Sequence, residues 1–131
     1  MDVTLGPWTA AMSVPQAMHK SLTDAMGDEA KSVVQNAPGF TPQQAPQGKP
    51  AKKGFTISGK VMSVTKQTGT TTVGATFTLW ADGTFSNVAP LTGSASAQGS
   101  NTAEDALRGI VDLYIPKFLR AIQSGQAAKA R

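Results

Sequence analysis

One imidazole, eight carboxylates, two indoles and a run of small residues ahead of a helix are the groups in this sequence with chemistry to weigh. His19 would need a carboxylate on one side and a hydroxyl on the other to work as the base of a nucleophilic triad. No such arrangement stands near it, and its place beside the apolar stripe of a helix reads as a packing or surface histidine. Asp24, Asp28 and Glu29 share a helix. Hard cations draw carboxylates from more than one segment, so this i,i+4 pair of like charges reads as a solvated face. Glu104 and Asp105 fall where carboxylates favour the positive end of a helix dipole. Gly93-Ser94-Ala95-Ser96 and Gly99-Ser100 precede a helix as a phosphate loop would, but no Lys follows at the required spacing. The absence of Cys excludes a thiol nucleophile, a disulfide, a Cys-ligated metal and a lipidated cysteine in the sequence as it stands. The expectation is a chain that is not an enzyme, with no catalytic residue, no cofactor and no metal.

Two tryptophans remain, Trp8 at the end of a first short strand and Trp80 within a longer one. Trp80 falls on the outward parity of its strand beside Thr76 and Thr78, and Lys60 takes the outward parity of the strand before it. Tryptophan is enriched at binding surfaces, so Trp80, Thr76, Thr78 and Lys60 are the candidate partner-binding residues. The competing reading has Trp80 folded over the sheet edge or covering a linker.

The elements that must position these residues follow from periodicity. Residues 2–8 alternate through Val3 and Leu5 to a Gly6-Pro7 turn, a short strand. Residues 14–35 predict a helix, with Ser13 as N-cap, Gln16 three residues on, and Met18, Leu22, Met26 and Val33 along one stripe. Gly27 weakens it by about 1 kcal/mol relative to Ala. Residues 37–54 hold four Pro, three Gln, three Gly and three Lys without apolar period, and predict a flexible linker loop. Residues 55–65 and 71–80 alternate as half-buried strands, with Phe55, Ile57, Gly59, Val61, Val73, Ala75, Phe77 and Leu79 inward and a hairpin turn at Gly69. Residues 90–98 predict a further strand whose small residues would let a helix lie close. Residues 102–123 predict a second helix. It opens on Thr102 and Asp105 as a capping box and carries Leu107, Ile110, Val111, Tyr114 and Phe118 on its apolar face. Pro116 predicts a kink near 112–116.

The order is β-α-linker-β-β-β-α, an α+β two-layer sandwich with a mostly antiparallel sheet of three to four strands packed by two helices. Residues 1–36 and 55–123 form one domain, 37–54 its linker loop and 124–131 a disordered tail. The 131 residues are 40% apolar and 15% charged, enough for one modest core, and hold no apolar run long enough to span a membrane as a helix. The net charge is +4, yet Lys49, Lys52 and Lys53 lie in the linker and Lys129 and Arg131 in the tail. With three Arg and no cluster of them, nucleic acid is not an expected partner.

Several phrases carry a resemblance. Leu5-Gly6-Pro7-Trp8 ends the first strand. Leu22-Thr23-Asp24-Ala25 lies in the helix that follows, and Asn36-Ala37-Pro38-Gly39-Phe40 closes it. Then come Gly54-Phe55-Thr56-Ile57-Ser58-Gly59-Lys60-Val61, Gly93-Ser94-Ala95-Ser96-Ala97-Gln98-Gly99, and Ala103-Glu104-Asp105-Ala106-Leu107-Arg108 opening the last helix. Over residues 3–123 this pattern resembles the bacterial envelope domains related to the curli-secretion-pore lipoprotein, the lipoprotein activators of penicillin-binding proteins and the N-terminal domain of TolB. The resemblance implies a periplasmic or outer-membrane-associated, non-enzymatic domain that binds proteins, assembles into rings or activates an enzyme in trans. It carries over no catalytic residue. No leader, lipid-bearing Cys or long apolar hairpin is seen, so pore formation is not expected.

The expected function is a protein-protein interaction module of the bacterial envelope or a secretion system, with protein partners or copies of itself. The alternative is a structural subunit of a large assembly such as a phage tail, contractile machine or filament. The expected location is periplasmic or envelope-associated if a leader was removed, and otherwise cytoplasmic or within a virion-like assembly. A small-ligand binder would need a pocket of convergent polar groups, which the sequence does not nominate.

Overall fold

The computed structural model describes residues 2–44, 53–67, 69–81, 84–85, 91–98 and 103–123, with residues 84–85 and 91–98 described as backbone. The alternation of the first residues makes β1 (Asp2–Ala10), which buries Val3 and Leu5 and leaves Thr9 exposed. Thr41–Gln44 form β2, Phe55–Gln67 β3, Thr70–Ala81 β4, Thr84–Phe85 β5 and Leu91–Gln98 β6. They join in one six-stranded sheet in the order β2-β1-β3-β4-β5, with β6 also pairing with β4.

The α+β two-layer architecture is the one the sequence predicts. The sheet, however, is mixed: β1 pairs in parallel with both β2 and β3, and the β3–β4, β4–β5 and β4–β6 pairs are antiparallel. The parallel pairs have a topological cause. The chain leaves β1 through a helix and returns beside it, a crossover that brings the next strand back in the same direction. β2 also corrects part of the expected linker, because Thr41–Gln44 lie against Asp2–Leu5. They satisfy backbone groups that β1 would otherwise leave open on its outer edge. The rest of that linker, residues 45–52, and the expected tail 124–131 lie outside the described residues, as do Asp82-Gly83.

Two irregularities shape the sheet. Between the pairs Leu5↔Ile57 and Trp8↔Gly59, β1 holds one residue more than β3, a bulge at Gly6-Pro7. Gly6 has φ 114°, a conformation that favours glycine. A second extra residue, Met62, sits on β3 between Val61↔Ala75 and Ser63↔Gly74.

α1 (Gln16–Asn36) buries Leu22, Ala25, Met26, Ala30 and Val34. Its N-cap position is Pro15, with no side-chain cap. Ser13, the expected cap, instead donates its hydroxyl to the Met62 carbonyl at 2.7 Å, tying the helix entry to the bulge of β3. α2 (Ala103–Gln123) buries Leu107, Ile110, Val111, Ile115, Phe118 and Ile122, and it runs helical through Pro116. Thr102, the expected cap of α2, is outside the described residues.

Both helices lie on one face of the sheet. Val61, Val73, Ala75, Phe77 and Leu79 point into the same core as the buried faces of α1 and α2, with Phe77 and Phe118 its largest fully buried side chains. The helices run side by side in the same direction. Ser21 donates to Glu104 near their starts, and Glu29 meets Asp112 eight residues further along each. Close approach of helix and sheet requires glycine at two places. A Cβ on Gly59 would stand 2.8 Å from the Phe77 ring, and one on Gly27 would stand 2.8 Å from the Trp8 indole.

Candidate functional site

The face of the sheet opposite the helices carries the four residues singled out in the sequence. Register sets them in rows: Thr9, Lys60, Thr76 and Thr92 lie level across β1, β3, β4 and β6, Ser58 pairs with Thr78, and Thr56 pairs with Trp80. Lys60 is exposed and Thr76 and Thr78 are half-buried. These three line a shallow depression of about 260 Å³ together with Pro7, Thr9, Ser58 and Met62. Met62, pushed out by its bulge, is 41% exposed. The face therefore mixes an alkyl-ammonium, a thioether and threonine methyls with hydroxyls, a surface able to meet both apolar and polar groups.

Trp80 stands apart from the depression. Its indole N–H donates to the Ser58 hydroxyl at 2.9 Å. The ring is half-buried and lies along β3, where its partner across the ladder, Thr56, has no exposed surface. Trp80 thus belongs to the open face and is also held down on it.

Four other chemistry-bearing groups, His19, Glu104, Asp105 and Glu29, have structural partners. His19 Nε2 donates to the Val14 carbonyl at 2.8 Å, bracing the start of α1. Arg108 bonds Asp105 at 3.0 Å within α2, and Glu104 accepts from Ser21. Glu29 and Asp112 share a hydrogen bond between the helices. That bond, then burial, then the Asp112 charge raise the Glu29 carboxyl to about 7, against the lowering pull of Arg108. Among the described residues no three His, Asp or Glu side chains gather as metal ligands would, and no helix is long and apolar enough to cross a membrane.

The sequence reading passed over Trp8. Its indole packs over Gly27 of α1 and lines a cleft between β1, β2 and α1. The available signals were a bulge-forming Gly6-Pro7 before it and a glycine in the middle of an otherwise regular helix.

Among the described residues, the fold is a two-layer domain with helices on one side of the sheet and an uncovered polar face on the other. No family model and no curated protein matches the chain. Solved structures do. Protein XCC0632 from Xanthomonas campestris, of the DUF330 family model, superposes with a TM-score of 0.64 at 13% identity over 95% of this chain and 88% of that one. The PelC dodecamer from Paraburkholderia phytofirmans gives 0.59 at 15% identity, covering 86% of this chain and 83% of that one. Lipoprotein GNA1162 from Neisseria meningitidis gives 0.54 at 12%, covering 92% and 99%. At these identities the likeness is one of fold. The structures it resembles are bacterial proteins, one of them a lipoprotein, and the narrower curli-pore, activator and TolB resemblance rests on the sequence phrases alone.

Proposed function

We propose that this chain is a non-enzymatic assembly module of the bacterial envelope, docking through its open sheet face onto a protein partner, copies of itself included. The observation that carries the proposal is the placement of Lys60, Met62, Thr76 and Thr78 around one depression on the side of the sheet that neither helix covers. The same fold forms a dodecamer in PelC and a lipoprotein in GNA1162, which supports self-association and an envelope setting. The cytoplasmic and virion locations weighed from sequence find no support in these comparisons.

The test is mass in solution by light scattering, paired with capture from bacterial envelope extracts. The expected result is a discrete oligomer or a specific captured protein, lost in Thr78→Arg while Tm is unchanged. A monomer at every concentration, with identical capture by the native chain and Thr78→Arg, would overturn the proposal.

A further inference from the structure

We propose that the cleft between β1, β2 and α1 is a saccharide-binding site, distinct from the sheet-face depression with which it shares Pro7 alone. The cleft has a volume of about 600 Å³, within the range of small-molecule sites, roughly 300–1,000 Å³. Its apolar wall is the half-buried indole of Trp8 with Pro7 beside it.

Two local departures place that indole. The bulge at Gly6-Pro7 interrupts the β1–β3 ladder just before Trp8. Gly27 stands in the middle of α1, where Ala would make the better helix, and a Cβ there would meet Trp8 Cδ1 at 2.8 Å and Nε1 at 2.9 Å. Local rules broken together at one spot are the mark of a functional site.

The polar lining of the cleft is Thr23, Asp24, Asp28, Lys31, Gln43, Gln44 and the Trp8 indole N–H, of which Thr23 is held by the His19 and Lys20 carbonyls. Among the described residues, the Trp8 indole N–H meets no acceptor, and the side chains of Asp28, Gln43 and Gln44 have no partner. Asp24, one helical turn from Asp28, has only Lys20 at 3.9 Å, with both side chains largely exposed. By contrast, the indole N–H of Trp80 is satisfied by Ser58.

The mixture selects the ligand class. An apolar ligand would leave carboxylates and amides without partners. An anion would face Asp24 and Asp28 with Lys31 alone to offset them, and a bare cation would use the carboxylates but leave the indole N–H unused. A sugar ring has a C–H face to lie on Trp8 and Pro7. Its hydroxyls can donate to Asp24 and Asp28, accept from the indole N–H and do both with Gln43 and Gln44.

The test uses the full chain on an array of bacterial and host glycans. It is followed by fluorescence titration of the best binder in a Trp80→Phe background, where Trp8 is the remaining indole. The expected result is saturable binding with a change in Trp8 emission, weakened at least tenfold in Asp28→Ala and Gln44→Ala with Tm unchanged. Both positions are exposed, so the variants keep the fold. An array with no signal above that of Asp28→Ala would overturn the inference, and so would saturable binding of equal strength in native chain and variants.

Discussion

Single residues decide how closely the two layers meet. Gly59 lies directly under the Phe77 ring, with the Met26 sulfur 3.0 Å from where a Cβ would be. Gly59→Ala is therefore expected to lower stability by about 1–3 kcal/mol, the usual range for overpacking a core, read as a fall in urea midpoint. Glu29 sets a pH dependence. The folded chain keeps its proton up to about pH 7, while the unfolded chain releases it near 4.5. The folded state thus binds the extra proton between those values, so this group's contribution falls as pH rises through that window. Tm is expected to be higher at pH 5 than at pH 8 on this account, and Glu29→Gln should flatten the difference while raising Tm at pH 8. An unchanged slope in the variant would show that other groups govern it. None of this was legible in the sequence: Glu29 and Asp112 lie 83 positions apart, and only the parallel packing of the helices makes them neighbours.

Elements with a clear period were legible, and those made by their neighbours were not. β4 and the first part of β3, up to the Met62 bulge, alternate, so their inward residues were readable, and Ile57, Val61, Val73, Phe77 and Leu79 are all fully buried. The stripes of both helices were readable for the same reason, although Val34, not Val33, takes the core position. β2 has four residues, one of them Pro42, and no alternation. It is a strand because β1 offers it an edge, a fact of tertiary structure. The open sheet face was legible through parity alone, whereas the Trp8 cleft needs β1, β2 and α1 brought together. Phe77→Ala and Phe118→Ala, each at a fully buried ring, are expected to cost about 3–5 kcal/mol, measured by chemical denaturation. A loss below 1 kcal/mol in either would remove that ring from the core. Pro116 sits inside α2 without breaking it. Pro116→Ala restores one backbone donor and should raise stability by about 1–3 kcal/mol, seen as a higher Tm.

The whole molecule presents two distinct surfaces. Among the described residues, one side of the sheet is sealed by two helices, the other is uncovered, and the cleft opens at the β2 edge. Pro7 is the one lining residue the two sites share, so the two proposed activities should separate by mutation elsewhere in each. Thr78→Arg is expected to abolish assembly in light scattering and leave glycan binding intact. Asp28→Ala should do the reverse. Loss of both activities in either variant would mean that the sites are one.

The position of β1 also governs the order of folding. It lies between β2 and β3, and both partners come later in the chain. During synthesis Val3, Leu5, Leu22 and Met26 therefore emerge with no sheet to cover them. The β3–β4 hairpin, a local structure, can form within about 1–10 μs of its emergence, and only then does β1 gain its parallel partner. Nascent chains stopped before Phe55 would hold these apolar side chains open to chaperones, and chains stopped after Ala81 would begin to hide them.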